Sequence, residues 1–226
     1  RSLLTLIGIA IGVCAVVLLT AIGQGVHRFV LDEFSQFGTN LIAVTPGKTS
    51  TFGMSGAMVS SVRPLSLSDA EALEQVADIQ AVVPVVQGNA EVEYQGQRRR
   101  TMVFGVGAGV PEIWGIQPAI GRFLPDGDLE SPRAFAVLGA SLRQELFGST
   151  SPLGAPIRVG GERFRVIGVM EPKGQLLGFD LDDSLYLPVQ RVMAMFDRDG
   201  LMEIDLLYDE AADSQTLVQR LQALLE

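Results

Sequence analysis

The chain opens with an uncharged stretch, Leu3 to Ile22, in which only two threonines interrupt the apolar side chains. As an α-helix, this stretch would be about 30 Å long, which matches the hydrocarbon thickness of a bilayer. A helix in lipid satisfies its own backbone hydrogen bonds, so Gly8 and Gly12 are tolerable there, and their spacing offers a close-packing face to a second helix. We therefore predict a transmembrane helix over residues 1–22.

Three other interpretations of the opening stretch fit less well. A cleavable signal peptide would have a shorter apolar core and a small-residue cleavage site. A lipoprotein signal needs a small residue before its cysteine, whereas Cys14 follows Val13 and more apolar residues come after it. A buried core helix is an alternative, but the second residue of a chain is an unusual place for one to begin.

The composition fits one membrane span followed by a body of roughly two hundred residues. The chain has 26 acidic against 17 basic residues, for a net charge of −9, which argues against a nucleic-acid partner and against a general affinity for anionic lipid. The single cysteine lies in the predicted span, so no disulfide is expected outside it. The chain does not begin with methionine, and we expect it to be part of a longer protein.

A second helical pattern follows the span and predicts a stalk over residues 23–37. Gly23 and Gly25 form a loosened joint, after which apolar residues recur on one helical face and polar residues on the other. Gly38 and Asn40 end the pattern as C-terminal helix breakers do. The apolar face comprises Val26, Phe29, Val30, Phe34 and Phe37.

The part of the chain up to residue 107 alternates predicted strands and helices. Leu41–Thr45 reads as a short buried strand, residues 46–61 as a loop, and Ser66 or Ser68 as the cap of a helix, with Ser68 and Glu71 forming a capping box. A β-rich run and a hairpin with a turn at Gln95-Gly96 come next, in the order Ala81–Val86, Glu91–Tyr94 and Arg98–Val106.

From about Ala108 the character changes, because Gly and Pro occur every few residues. The predicted elements there are strands Ala134–Leu138, Ile157–Val159 and Phe164–Met170, a turn at Gly160-Gly161, and one helix, Ser141–Phe147. After Ser184 come a strand, a helix from Pro188 to Phe196, strand Met202–Tyr208, and helix Ser214–Leu225 with Leu217, Leu221, Leu224 and Leu225 facing inward. This order predicts an α+β fold whose main domain is interrupted by a β-rich insertion, with Leu41–Thr45 and Met202–Tyr208 in one sheet.

Several short motifs, in the right order along almost the whole chain, resemble the extracytoplasmic core domain of MacB-like ABC transporter permeases. Each motif is weak alone, but their order together is fairly specific. They are LIGIAIGV (residues 6–13), GTNLIAVTPG (38–47), PLSLSDAEAL (64–73), GRF (121–123), AVLGASLRQELFG (136–148), PLG (152–154), FRVIGVMEPKG (164–174) and YLPV (186–189).

The resemblance implies an α+β architecture with a first transmembrane helix, then an α/β porter-like subdomain (residues 38–107 and 183–226) with an inserted β-rich sabre-like subdomain (108–182). It further implies a dimeric permease of the plasma membrane, with residues 38–226 on the extracytoplasmic, periplasmic side. The implied partners are an ABC ATP-binding subunit or domain, a second permease copy, a periplasmic adaptor protein and membrane lipid.

The glycine motifs do not predict a nucleotide site. Gly47-Lys48-Thr49 follows a strand like the end of a phosphate-binding loop, but Ile42 stands where that motif needs glycine and no good helix follows. Gly105, Gly107 and Gly109 lack dinucleotide-binding spacing, and we interpret them as backbone bends where the two subdomains meet.

The polar clusters do not predict a catalytic or metal site either. His27 is the only histidine and has no cysteine nearby, so we place it at headgroup level. Arg98-Arg99-Arg100 alternate between strand faces, which indicates a solvated hairpin edge rather than one basic patch. Two acidic clusters lack a complete calcium pattern and read as solvated loops, Asp126, Asp128 and Glu130 in one and Asp180, Asp182 and Asp183 in the other. The sequence thus predicts no catalytic, cofactor-binding or metal-binding residues, and ATP hydrolysis is expected in a separate subunit or domain.

Two functions from different classes remain. The favoured one is a mechanical transport module, in which the stalk relays ATP-driven motion to export or release of a substrate outside the cytoplasm. The alternative is a single-span membrane-anchored sensor or binding ectodomain. Three further spans downstream would favour transport, and a cytoplasmic signalling domain would favour the sensor. The sequence does not identify the transported substrate.

Overall fold

The computed structural model describes residues 7, 11–25, 40–47, 63–126, 132–176 and 179–225. It divides into two units, residues 1–39 and 40–226. In the first unit residues 11–25 are helical (α1) and their side chains are exposed. Among the described residues, none of the helices combines the length and hydropathy that a membrane crossing requires. The predicted span (1–22) lies partly, and the predicted stalk (23–37) mostly, outside the described residues.

The second unit contains a mixed set of strands and helices. The strands are β1 (Leu41–Val44), β2 (Ile79–Tyr94), β3 (Gln97–Val106), β4 (Pro118–Gly121), β5 (Phe135–Leu138), β6 (Pro156–Val159), β7 (Glu162–Met170), β8 (Gln175–Leu176), β9 (Phe179–Asp180), β10 (Ser184–Pro188) and β11 (Glu203–Tyr208). The helices are α2 (Leu67–Glu74), α3 (Val110–Ile113), α4 (Ala140–Phe147), α5 (Val189–Met195) and α6 (Ser214–Leu225).

Nine of these strands form one sheet in the order β1-β11-β2-β3-β10-β5-β7-β4, with β6 pairing with both β2 and β7. β1 pairs antiparallel with β11, so Leu41 lies opposite Leu207 and Val44 opposite Ile204. The prediction that the first and last strands share a sheet is therefore confirmed. Strands β4 to β7, from the predicted insertion, occupy one end of this same sheet.

Two glycine-containing turns set the register of the hairpins. Gln95 and Gly96 both have positive φ, at 47° and 87°, and so do Gly160 and Gly161, at 55° and 93°. Two central residues with positive φ are typical of the primed turns that match the twist of antiparallel strands. Both predicted turns are confirmed, and the first follows a single long strand, β2, where the sequence had indicated two shorter runs.

The two faces of the sheet are covered differently. Helices α2, α4, α5 and α6 pack on one face, which we call the helix-covered face, and their buried Leu73, Leu142, Val192 and Leu217 join its core. The opposite face is covered over part of its area by α3 and residues 107–126. Alternation along each strand therefore sends successive side chains to two different surroundings.

Two local predictions need correction. The cap of α2 is Ser66 with Asp69, rather than Ser68 with Glu71: Ser66 has extended backbone, its hydroxyl accepts from the Asp69 N–H (3.2 Å), and the Asp69 carboxylate accepts from the Ser66 N–H (2.7 Å). In α6, Leu217 and Leu221 are buried, but Leu224 is 47% exposed. Leu224 shares a helix face with Leu217 and Leu221, so its exposure does not follow from helical periodicity; it lies in the last turn of α6.

Candidate functional site

The junction between the two ends of the sheet depends on β10. This strand pairs in parallel with β3 on one side and antiparallel with β5 on the other. Only two residue pairs join β10 to β5, and only two join β2 to β6. Because the backbone pairing is short here, side chains must contribute much of the connection.

Arg99 is the centre of that side-chain connection. It projects from β3 onto the helix-covered face, and its guanidinium donates to both carboxylate oxygens of Asp183, at 2.7 and 2.8 Å. Its remaining nitrogen donates to Glu145 of α4 at 2.6 Å. Bidentate arginine–carboxylate pairs fix the relative orientation of the two side chains as well as contributing to stability. The hydrogen bonds to Asp183, followed by the charges of Asp183 and Glu145, raise the pKa of Arg99.

Thr101, two residues further along β3, strengthens the same node. Its hydroxyl donates to the main-chain carbonyl of Asp183. Thr101 is buried on the helix-covered face, so this bond satisfies a polar group that is shielded from water. We call Arg99, Thr101, Glu145 and Asp183 the Arg99 node.

Further contacts join the two ends of the sheet on the helix-covered side. The rings of Tyr94 in β2 and Phe147 in α4 stack with centroids 4.0 Å apart. Arg191 in α5 donates to the carbonyl of Pro132 at 3.1 and 3.2 Å and lies 3.8 Å from the Glu162 carboxylate. The junction is therefore built from polar and aromatic contacts spread over several elements.

Gly105, near the end of β3, acts through close packing rather than as a bend. A Cβ on Gly105 would lie 2.5 Å from the Cβ of Val192 in α5, so the absent side chain lets that helix approach the sheet. A Cβ added to Gly107 would lie 3.2 Å from the Pro84 side chain, and one added to Gly109 would lie 3.1 Å from the Val83 side chain. The predicted bends at Gly105, Gly107 and Gly109 are therefore wrong for Gly105, which is inside a regular strand.

An aromatic cluster fills the opposite face beneath residues 107–126. Tyr186 packs against Phe104, Trp114 and Phe123 with ring centroids 5.7, 6.4 and 5.8 Å away. Desolvation raises the pKa of the fully buried Tyr186, whose hydroxyl donates to the carbonyl of Leu181. This cluster ties β3 and β10 to the segment that leaves β3.

Trp114 also carries the polar link from this segment to β11. Its indole N–H donates to the Asp205 carboxylate at 2.7 Å. Burial raises the pKa of Asp205, and the Trp114 hydrogen bond opposes part of that shift. Burial followed by the charge of Asp205 raises the pKa of the neighbouring Glu203.

A cleft of about 650 Å³ lies between α2, the end of β3, residues 122–126 and the start of α5. Its charged lining residues are Arg122, Arg133, Glu71, Glu74 and Asp126. Desolvation raises the pKa of Glu74, and the charges of Glu71 and Asp126 raise it further. The cleft combines apolar side chains with charges of both signs, and it is formed by both predicted subdomains.

The acidic loop before β10 is a structural turn. One oxygen of the Asp182 carboxylate accepts from the Lys173 N–H at 2.7 Å, and the other accepts from the Gly174 N–H at 3.1 Å. Asp180 accepts from the N–H groups of Asp182 and Asp183. These carboxylates hold their own loop, so a purely solvated loop was the wrong prediction for Asp182 and Asp183. No group of possible metal ligands occurs among the described residues.

The remaining sequence candidates are less informative. Asp126 is exposed in the cleft, and Gly47 follows β1. Five others lie outside the described residues: His27, Lys48, Thr49, Asp128 and Glu130. The alternation of Arg98, Arg99 and Arg100 is visible in the sequence, but the Arg99 node is not, because that node depends on partners 46 and 84 residues away.

The structure defines a mixed α/β domain whose two parts are joined through β10, through the short β2–β6 pairing and through a network of side chains. The model of the MacB-like periplasmic core domain matches residues 2–224. The chain belongs to the MacB-like periplasmic core domain family.

Individual relatives agree with this assignment. The chain is 32% identical over 227 residues to a macrolide export ATP-binding/permease protein MacB of Bdellovibrio bacteriovorus, covering all of this chain and 35% of that protein. It is 33% identical over 190 residues to a pyoverdine export ATP-binding/permease protein PvdT of Pseudomonas savastanoi, covering 83% of this chain and 28% of that protein. The chain thus spans about a third of the length of the curated relatives it matches.

Solved structures show the same fold. The periplasmic region of MacB from Actinobacillus actinomycetemcomitans superimposes with a TM-score of 0.68, at 23% identity and 84% coverage of both chains. The extracellular domain of the ABC-type transporter YknZ from Gram-positive bacteria gives 0.62, at 18% identity, with 80% of this chain and 88% of that chain covered.

Proposed function

We propose that this chain is the extracytoplasmic part of an ABC transporter permease and relays ATP-driven motion to an export or release step outside the cytoplasm. Membership of the MacB-like periplasmic core domain family supports this function. The relatives named above are ATP-binding/permease proteins for export of a macrolide or of pyoverdine. Because the chain spans only about a third of their length, transport is a property proposed for the whole protein.

The proposed relay of motion is supported mainly by the continuous sheet of the second unit. β1, the first strand after the predicted stalk, belongs to the same sheet as β4, which lies at the far edge. The Arg99 node, the Tyr94–Phe147 stack and the Arg191 contacts reinforce the junction where backbone pairing is short. Close-packed interiors resist compression and transmit strain, so a body connected in this way can pass on a displacement.

The proposal includes the predicted topology and partners. Residues 1–22 would span the plasma membrane, residues 23–37 would form the stalk, and residues 38–226 would lie on the extracytoplasmic side. Residues 38–107 with 183–226 would be the porter-like subdomain and residues 108–182 the sabre-like subdomain. The partners would be an ABC ATP-binding subunit or domain that hydrolyses ATP, a second permease copy, a periplasmic adaptor and membrane lipid.

The relay can be tested by a flexible insertion in the full-length protein. Gly-Gly-Ser after Gly25 should abolish substrate export, while ATPase activity and membrane level stay near normal, because the insertion interrupts the helix that would carry the motion. The same insertion after Ser151, in an exposed loop, is the matched control and should leave export near normal. Unchanged export with the insertion after Gly25 would show that no rigid element acts through residues 23–25.

The topology can be tested separately by cysteine labelling. In a Cys14→Ser background, Gln97→Cys and Ser149→Cys place thiols at exposed positions of the second unit. Both should react with a membrane-impermeant maleimide in intact spheroplasts. If both react only after lysis, residues 38–226 are cytoplasmic and the proposed topology is wrong.

A further inference from the structure

Strand register places a row of charged side chains on the face opposite the helices, and this row crosses the short β2–β6 pairing. Across β3, β2, β6 and β7, Arg98 lies opposite Glu93, Glu93 opposite Arg158, and Arg158 opposite Arg163. Directly paired residues share a face of the sheet. The three arginines are exposed, and Glu93 is half-buried.

Two further pairs lie two residues from this row, one on each side of it, and extend the same surface. Arg100 in β3 pairs with Glu91 in β2, and Arg165 in β7 pairs with Pro156 in β6. All four of these residues are exposed. We define the arginine face as Arg98, Arg100, Arg158, Arg163 and Arg165 together with Glu91 and Glu93. It carries five positive and two negative charges in a chain whose net charge is −9.

The two acids do not neutralise this surface. Glu91 and Glu93 both approach Arg98, at 3.5 and 3.6 Å. Across the part of the chain that the structure describes, the other four arginines of the arginine face form no ion pair. Their guanidinium groups therefore remain available to carboxylates from outside the chain.

One pair within the arginine face is unfavourable for the isolated fold. Arg158 and Arg163 are directly opposite each other in the β6–β7 hairpin. Like charges in such a pair destabilise a sheet, whereas opposite charges stabilise it. Local rules of this kind are broken most often at functional sites. The Arg158–Arg163 pair thus adds to the indication that the arginine face binds something.

The shape and charge pattern of the arginine face indicate the kind of partner. Four strands spaced by about 4.8 Å give an open surface about 14 Å wide, and its residues are separate from those lining the cleft. An open surface of this kind can bind the surface of another macromolecule. Guanidinium groups form bidentate hydrogen bonds with carboxylates, which favours an acidic partner. A uniformly anionic bilayer would repel Glu91 and Glu93, whereas a protein surface can place its acids opposite the arginines alone.

We propose that the arginine face is a docking surface for an acidic surface of a partner protein. This role is separate from the proposed relay of motion, which depends on the junction on the other side of the sheet. Failure of one proposal therefore leaves the other standing.

Binding can be measured with the full-length protein in detergent and fluorescent poly-L-glutamate as the probe. The double variant Arg158→Gln/Arg163→Gln should weaken binding about threefold or more, since each exposed arginine contributes a modest charge interaction. The control Arg198→Gln/Arg220→Gln changes net charge equally at exposed positions elsewhere and should alter binding less than about twofold. Equal weakening in both double variants, or no binding by the unaltered protein, would overturn the proposal.

A single reversal of charge separates binding from folding. Arg163→Glu would place an acid opposite Arg158, so thermal unfolding should shift up by about 1–3 °C while binding of poly-L-glutamate weakens. A rise in Tm together with lost binding excludes misfolding as the reason for the loss. A fall in Tm, or unchanged binding, would contradict the proposed docking role.

Two further measurements distinguish a protein from a membrane. The Arg158→Gln/Arg163→Gln substitutions should leave any binding to vesicles containing phosphatidylglycerol unchanged. If the double variant abolishes binding to these vesicles, the arginine face binds lipid and the proposal is wrong. In cells, p-benzoylphenylalanine at Asn89, exposed beside the arginine face, should cross-link to an acidic segment of another protein, unlike the same group at exposed Gln222. Cross-linking to a segment without acidic residues, or to no protein, would also refute it.

Discussion

Arg98 and Arg99 are neighbours in β3, yet their side chains lie on opposite faces of the sheet and in different surroundings. Arg99 is 32% exposed and contacts two carboxylates at 2.6 to 2.8 Å, from elements on both sides of the junction. Arg98 is 60% exposed and approaches two carboxylates of the neighbouring strand at 3.5 to 3.6 Å. Arginine thus connects elements of the fold on the helix-covered face, as Arg99, and is exposed to solvent on the opposite face, as Arg98.

The two residues show that the local sequence does not determine whether an arginine in a strand stabilises the fold or is exposed to solvent. What differs is the opposite surface: helix α4 and the β9–β10 turn cover Arg99, whereas no described residue covers Arg100 or Arg163, both of which are exposed. Partial burial strengthens charge interactions because water screens them less, and exposure weakens them. Substitutions on the two faces should therefore have unequal effects on stability.

The largest expected effect comes from the close packing on the helix-covered face. Gly105→Ala should lower the free energy of unfolding by about 2–3 kcal/mol, since its Cβ would lie 2.5 Å from Val192 and α5 would have to move. Urea unfolding measures this loss. Val192→Ala should partly rescue the Gly105→Ala variant by making room. If the double variant is no more stable than Gly105→Ala alone, contact with Val192 is not the cause.

The Arg98–Arg99 comparison itself gives the next largest effect. Arg99→Met should cost about 1–2 kcal/mol, because it leaves Asp183 and Glu145 close together without their cation and the site is partly exposed. Arg98→Met, the matched control in the next residue, should cost less than about 0.5 kcal/mol. Denaturant unfolding of both variants is the measurement, and equal losses would remove the distinction between the two faces.

The smallest effect concerns Asp205, which is on the opposite face but covered by Trp114. Burial raises its pKa, so the folded protein holds this proton to higher pH than the unfolded chain does. Stability from the protonated carboxyl is fully present below the ordinary value of 3.8 and is lost as pH rises through the folded pKa. Asp205→Asn should therefore gain stability relative to the unaltered protein as pH rises.

Unfolding curves between about pH 4 and pH 7 measure this difference. The gain includes a contribution from Glu203, because the charge of Asp205 also raises the pKa of that neighbour. Asp199→Asn, at an exposed position, is the control and should follow the unaltered protein across the range. Parallel pH profiles for Asp205→Asn and the unaltered protein would show that burial of this carboxyl carries no cost.

Much of the fold could be predicted because its signals are local. The turns at Gln95-Gly96 and Gly160-Gly161 follow from residues that accept positive φ, and α6 has the predicted bounds Ser214–Leu225. The order of elements also indicated that the first and last strands share a sheet, which β1 and β11 do. The candidate site was predicted less well, because none of the motifs weighed in the sequence pointed to the Arg99 node or to Trp114 with Asp205.

The sequence by itself determined where the chain turns, where most strands and helices lie, and which family the chain resembles. These properties depend on residues close together in the chain, through turn chemistry, periodicity and motif order. Only the tertiary structure decided that Arg99 meets Asp183, 84 residues later, and that Arg98 and Arg100 share a face with Arg158 and Arg163. The physical reason is register: each cross-strand neighbour is set by hydrogen bonding between strands that are distant in sequence, and a shift of one residue would exchange the two faces.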